Sequence, residues 1–233
     1  MKYMLEVSLV ALTLVEAVTS SPSKQSSPEI PTLQPGIRVE MAATSTAKPV
    51  PDADQLDAFV LTVTDRGSVY EGTNAIAASE LTQEINHRFA ARQQQLYIKA
   101  DARTPYANVS RVLQAAQASG IESPILLTAQ QGVAAAPGTI TPPEGIEFSL
   151  TSNAQSNSAS AVVEIFNSAA GPRLKINHQE TPWASLETAL GHLRQNPSRK
   201  VLVNADGETP FAQVVRVIDA CRSSGAKVVL TSQ

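Results

Sequence analysis

The sequence predicts an α/β chain built from two tandem copies of one small unit, each a two-layer β-β-β-α-β-α-β sandwich with a mixed sheet and both helices on one face. Three observations carry this. Ala100–Gly120 (ADARTPYANVSRVLQAAQASG) returns at an offset of 105 as Ala205–Gly225 (ADGETPFAQVVRVIDACRSSG), identical at 11 of 21 positions. Short runs with the period of a half-buried strand alternate with helical stripes. A period this long means two domains of one fold, since solenoid repeats run to about 20–50 residues.

The elements follow in order. Tyr3–Val18 is an apolar run interrupted by Glu6 and Glu16. A membrane-spanning helix needs about 20 mostly apolar residues, so residues 1–19 read as a membrane anchor, a signal-like segment or an exposed amphipathic helix. Residues 20–35 are Pro- and Ser-rich and offer little to bury, which makes them a linker. The first unit spans 36–128. Ile37, Val39 and Met41 alternate with Arg38 and Glu40, which predicts a strand. Phe59–Asp65 and the stretch after Arg66-Gly67 predict a hairpin. Ala77–Ala91 reads as a helix through Leu81, Ile85 and Phe89. Leu96–Ala100 is a strand. Thr104-Pro105 then predicts a helix start, with Thr as N-cap and Pro at the first position. Tyr106, Val109, Val112, Leu113 and Ala116 form its apolar stripe, Gly120 stops it, and Pro124–Thr128 is the last strand.

A Gly/Pro-rich linker, 129–144, leads to the second unit, 145–233. A flexible coil of this length spans about 20–25 Å. Gly145–Leu150 (GIEFSL) matches Gly36–Met41 (GIRVEM), Leu174 matches Val69, and Leu186 and Leu190 match Leu81 and Ile85. Thr181-Pro182 and Thr209-Pro210 open its helices. Phe211, Val214, Val217, Ile218 and Cys221 repeat the apolar stripe. The second copy lacks the Asp-x-Gly turn of the first hairpin.

Composition narrows the function. The chain has 233 residues, 42% of them hydrophobic, enough for two small cores. A formal net charge of −3 and 4% aromatics argue against nucleic-acid binding. The single cysteine, Cys221, excludes an internal disulfide and reads as a buried thiol on the helix stripe. His87, His178 and His192 lie in different elements with no second ligand at metal spacing. No acid, base and nucleophile recur at usable spacing, so no enzyme and no cofactor is expected. Trp183 reads as packing, at a contact between units. Asp101 and Asp206 end a strand just before a helix, where a carboxylate can accept helix N–H groups; a partner-binding role is the alternative. Arg111 and Arg216 lie on outer helix faces, solvated or in contact with a partner.

The order of these signals resembles the ExbD/TolR family of biopolymer transport proteins. The first copy reads VLTVTDRGSVYEG, ELTQEI, YIKAD, VSRVLQAAQASGI and ILLT; the second reads VVEIFNS, RLKIN, SLETAL, VLVNAD, VVRVIDACRSSGA and VVLT. The resemblance covers about 36–128 and 145–231. It implies a non-enzymatic, single-pass inner-membrane protein with its bulk in the periplasm. The implied partners are an ExbB/TolQ-like membrane protein and a TonB/TolA-like energy transducer, in a complex driven by proton motive force. Laid on the family's membrane helix, Leu5–Thr19 places Glu6 where the family carries an essential Asp, which makes Glu6 the proton-relay candidate. Family members carry one periplasmic unit and dimerise, so the duplication implies an intramolecular pseudo-dimer. A soluble periplasmic module that binds cell wall or a protein segment is the alternative.

Overall fold

The computed structural model describes residues 36–92, 94–130, 142–152, 159, 161–191 and 199–231. Glu6, His192 and most of both linkers lie outside them.

The first half contains β1 (Ala43–Thr44), β2 (Lys48–Pro49), β3 (Phe59–Val63), β4 (Val69–Glu71), β5 (Asn74–Ile76), α1 (Leu81–Arg92), β6 (Leu96–Ala100), α2 (Tyr106–Ala118) and β7 (Ile125–Gln130). The connection supplies β8 (Glu144–Glu147). The second half contains β9 (Ser149–Thr151), β10 (Ala161–Ser168), β11 (Gly171–Ile176), β12 (Gln179–Thr181), α3 (Leu186–Leu190), β13 (Lys200–Ala205), α4 (Phe211–Ser223) and β14 (Lys227–Thr231). One sheet runs β2-β8-β7-β6-β3-β4-β5, with β1 beside the end of β7; the other runs β12-β11-β10-β13-β14-β9. In each, three strands are parallel at the centre and a hairpin-linked meander forms one flank. Parallel neighbours need crossovers, and the helices supply them.

Side-chain alternation decides which face meets the helices. Phe59, Leu61, Val63, Leu96 and Ile98 join Ile85, Val109 and Leu113 in one buried cluster. The same cluster continues through Val163, Ile165, Val201, Val203, Val214 and Ile218, so both halves share a core. The outer face of the first sheet is covered as well. Val60, Tyr97 and Leu127 pack there with Ala53 and Ala58, which flank or belong to a short 3-10 turn at Pro51–Asp54. Every residue of β3 is therefore buried, whereas β10 alternates between buried and half-exposed. That is the difference between a strand covered on both faces and one covered on one.

Three expectations need correction. The predicted strand at Ile37–Met41 does not form a ladder; only Ala43–Thr44 pairs, in parallel, with Ala129–Gln130. The reason is β8, which runs antiparallel to Ile125–Thr128 and takes that edge of β7. Gly145 makes this approach possible, because a Cβ there would stand 2.6 Å from Ile125 Cγ2. GIEFSL is thus shared between sheets: Gly145–Glu147 joins the first, while Ser149 and Leu150 pair with Val229 and Leu230 in the second. Secondly, α1 begins at Leu81, since Asn74–Ile76 adds a third meander strand and a turn at Ala77–Glu80 follows it. Thirdly, the Thr-Pro helix starts differ from the cap rule. Pro105, Pro182 and Pro210 occupy the cap positions without side-chain capping, and Pro182 leads into a 3-10 turn, Trp183–Ser185, before α3. The second hairpin forms without the Asp-x-Gly turn that its sequence lacks: Ser168 pairs directly with Gly171, whose φ of 102° only glycine adopts readily.

Tyr106 of α2 crosses between halves. Its hydroxyl donates to the Thr231 carbonyl at 2.6 Å, and the residue is 1% exposed. Burial pushes the phenol far above its usual range, so it stays a donor at all ordinary pH. Phe211 holds the equivalent place in α4. Tyr106→Phe should fit sterically but leave the Thr231 carbonyl without this donor, lowering stability by about 1–2 kcal/mol in urea unfolding. An unchanged midpoint would show that the bond contributes nothing net.

Candidate functional site

The repeated motif lies at the junction of the halves and pairs with itself. The Tyr106 N–H donates to the Thr209 carbonyl (2.8 Å) and the Phe211 N–H to the Thr104 carbonyl (2.9 Å). The Ala107 N–H donates to Gly207 and the Ala212 N–H to Ala102, each at 2.8 Å. Pro105 and Pro210 face one another in an antiparallel bridge. A helix leaves its first N–H groups without intrahelical partners. Here each helix start is completed by the other half's loop, in four matched bonds. The loops come close: a Cβ on Gly207 would lie 3.2 Å from the Ala107 Cβ.

This geometry gives the two aspartates different tasks from the expected one. The Asp101 carboxylate is 3% exposed and accepts the Arg103 N–H (3.0 Å), the Arg103 guanidinium (3.0 and 3.1 Å) and the Glu40 N–H (3.2 Å). The Arg103 side-chain bond outweighs burial and, with the other donors, holds its pKa at about 2. Asp206 is exposed and accepts the Asn167 N–H at 2.9 Å. Neither caps a helix, because the helix N–H groups are taken by the opposite loops.

Arg111 is exposed and donates to Asn108 Oδ1 at 2.6 Å, while Asn108 donates to Thr104 Oγ1 at 3.1 Å. Arg216 is exposed and stacks over the Trp183 ring at 5.2 Å, whose indole N–H donates to the Pro172 carbonyl at 2.8 Å. The structure thus brings Asp101 to the junction loop and places Arg216 beside a groove between the halves, while Arg111 and Asp206 are exposed. Cys221 is fully buried, and burial pushes its thiol up to about 12, so it is a packing residue. His87 and His178 are exposed. Among the described residues no group of His, Cys, Asp or Glu is placed to hold a metal, and no helix is long and apolar enough to cross a membrane.

The groove, about 740 Å³, runs between Glu40–Ser45 of the first half and α3 and α4 of the second. One end is closed by a clasp the sequence did not announce. Asp219 of α4 accepts the Ser45 N–H and hydroxyl at 2.9 Å each, and the Thr46 N–H and hydroxyl at 2.9 and 2.6 Å. Burial raises the Asp219 pKa, but these four donors outweigh it and hold the carboxyl below its usual range. The available signal was a break in the repeat: Asp219 stands where the first copy has Gln114.

The family described as Biopolymer transport protein ExbD/TolR matches residues 17–131 and again 137–233. The chain belongs to the ExbD/TolR family. Two matches, one over each half, agree with the repeat. Neither a curated protein nor a solved structure matches the chain. The ExbD/TolR family is a non-enzymatic, inner-membrane family of biopolymer transport accessories, which generally works with ExbB/TolQ and TonB/TolA partners.

Two folded-state carboxyl groups, Asp101 and Asp219, are held below the ordinary value of 3.8. Their contribution is therefore complete above that value and disappears as pH falls through the folded value, about 2 for Asp101. Unfolding followed from about pH 5 down to pH 2 should show stability falling, and Asp101→Asn should flatten that fall. An identical pH profile in the variant would remove Asp101 from the account.

Proposed function

We propose that this ExbD/TolR chain serves as an accessory component of an inner-membrane complex driven by proton motive force, and that its two tandem units replace the pair of units two separate chains would bring. The observation that carries the reading is the reciprocal pairing of the Ala-Asp-x-x-Thr-Pro loops, in which equivalent residues exchange equivalent bonds. A self-complementary surface is the signature of a twofold interface, and here both sides belong to one chain. The tandem units lie in the periplasm, with residues 1–19 as the single membrane pass. The implied partners are an ExbB/TolQ-like membrane protein and a TonB/TolA-like transducer. Asp206, Arg111 and Arg216 are exposed and serve as partner-contact candidates, whereas Asp101 is occupied within the fold. Glu6 takes the proton-relay role. A carboxyl in a dry site can be protonated and released as the proton passes.

Sedimentation of residues 36–233 at micromolar concentration should give a monomer, because the twofold surface is already filled; an obligate dimer would count against the fusion. For the motor, Glu6→Gln should abolish energised uptake while leaving the protein in alkali-extracted membranes and in its complex. Unchanged uptake would sink the relay, and a full-length protein found in the soluble fraction would sink the anchor.

A further inference from the structure

We infer that the first half carries a ligand site of its own, a cavity of about 290 Å³ beside the starts of β3 and β6, and that it takes a small organic cation headed by a guanidinium group. The site involves neither the groove between the halves nor Glu6, so it goes beyond the proposed function and does not rest on it.

The argument starts from polar groups that the fold leaves without partners. Asp52, Gln94 and Tyr97 line the cavity, with Ala58 and Phe59 as an apolar wall. The Gln94 side-chain N–H donates to the Asp57 carbonyl at 3.2 Å, which fixes the amide and leaves Oε1 as its free end. That oxygen is buried and accepts no hydrogen bond. Tyr97 is 6% exposed, and its hydroxyl bonds no described residue. Burial, and then the Asp52 carboxylate, raise its pKa, so the phenol stays neutral at ordinary pH. Asp52 is exposed; its Oδ1 accepts the Gln55 side chain at 3.0 Å, and Oδ2 is left over. A buried acceptor without a donor is rare in a native fold and costs free energy. Here an amide oxygen, a phenol and a carboxylate share one cavity.

The lining sets the chemistry of the occupant. Among the described residues no Lys, Arg or His lines the cavity. Arg88, stacked over the Phe59 ring at 5.6 Å, lies outside the lining and is paired with Glu71. The occupant must therefore bring the donors, and a positive charge complements Asp52. A guanidinium fits best. Its planar fork offers N–H groups to several oxygens at once, and its weak hydration suits a site with an apolar wall. An ammonium is more strongly hydrated and loses more on entering.

The second copy shows that the fold does not require these residues. In strand register Tyr97 matches Leu202 and Phe59 matches Ala161. Leu202 is as buried as Tyr97 and has no hydroxyl. The offset of 105 matches Gln94 and Gln95 with Arg199 and Lys200, which would repel a cation. One site per chain follows.

The probe is butylguanidinium, titrated calorimetrically into the full chain in detergent. Saturation at one per chain is expected. Butylurea, its uncharged isostere, should fail to bind, and butylammonium should bind about tenfold more weakly. Gln94→Met and Asp52→Asn should each weaken binding about tenfold. Tyr97→Phe should weaken it by a similar factor and leave the urea midpoint of the unliganded protein in place, because the hydroxyl has no partner to lose. Far-ultraviolet circular dichroism checks the three folds; Asp52 is exposed, so Asp52→Asn decides the matter if a buried substitution does not fold. No saturable heat, two ligands per chain, equal binding of butylurea or butylammonium, or unchanged binding by the folded Asp52→Asn protein would each overturn the proposal.

Discussion

The structure depends on how the first turns of two helices satisfy their main-chain donors. A helix beginning Thr-Pro has no side-chain cap from the threonine here, and the proline has no N–H to offer. The next two donors must find carbonyls elsewhere. In α2 they find Thr209 and Gly207; in α4 they find Thr104 and Ala102. Each helix start is thus a partner in the other's folding. Separating the halves would return four bonds to water and also divide a core to which both contribute. The repeated residues are what a surface needs when it must complement itself. Small residues at Ala102, Gly207, Ala107 and Ala212 let the main chains approach, and threonine and proline set the turn.

Residues 100–120 and 205–225 disclosed the duplication, and with it most of the fold, because strand and helix periods are local and each copy confirms the other. What stayed hidden was anything requiring knowledge of the neighbour. The cap rule placed Thr104 and Thr209 on the helix N–H groups, yet a carbonyl from the opposite loop wins that position. The alternation of Ile37, Val39 and Met41 is a sound strand signal, but β7 has one such edge and the connecting strand β8 takes most of it. The Asp219 clasp joins residues 173 positions apart through a side chain that is unremarkable in its own helix. Family likeness brought Glu6 to notice, and the described residues do not reach it.

Two halves that belong to one chain need not be identical, and the differences gather where the halves meet. Tyr106 reaches across to Thr231, while Phe211 has no hydroxyl to reach back. Asp219 replaces Gln114 and gains Ser45 and Thr46. Arg216 stacks on Trp183, while Arg111 bonds Asn108. The connection itself adds a strand to one sheet only. Two separate chains must supply one sequence to both sides of their interface. A tandem chain keeps the self-complementary loops, which need like residues, and lets the periphery specialise.

That specialisation fixes how the folded units receive their N-terminal segment. From Glu40 to Thr46 the main chain is held first by Asp101 and Ala102, next by Ala129 on β7, and then by Asp219 on α4 of the other half. Within seven residues it is fastened to both halves. A displacement entering through residue 36 therefore cannot move one half and spare the other without breaking either the Asp219 clasp or the matched loop bonds. The loop bonds are main-chain to main-chain beside a shared core, whereas the clasp is one partly buried carboxylate on hydroxyl and amide groups. The clasp is the weaker attachment, so the segment would detach from the second half before the halves part, and the groove beside Met41 and Ala43 would widen first.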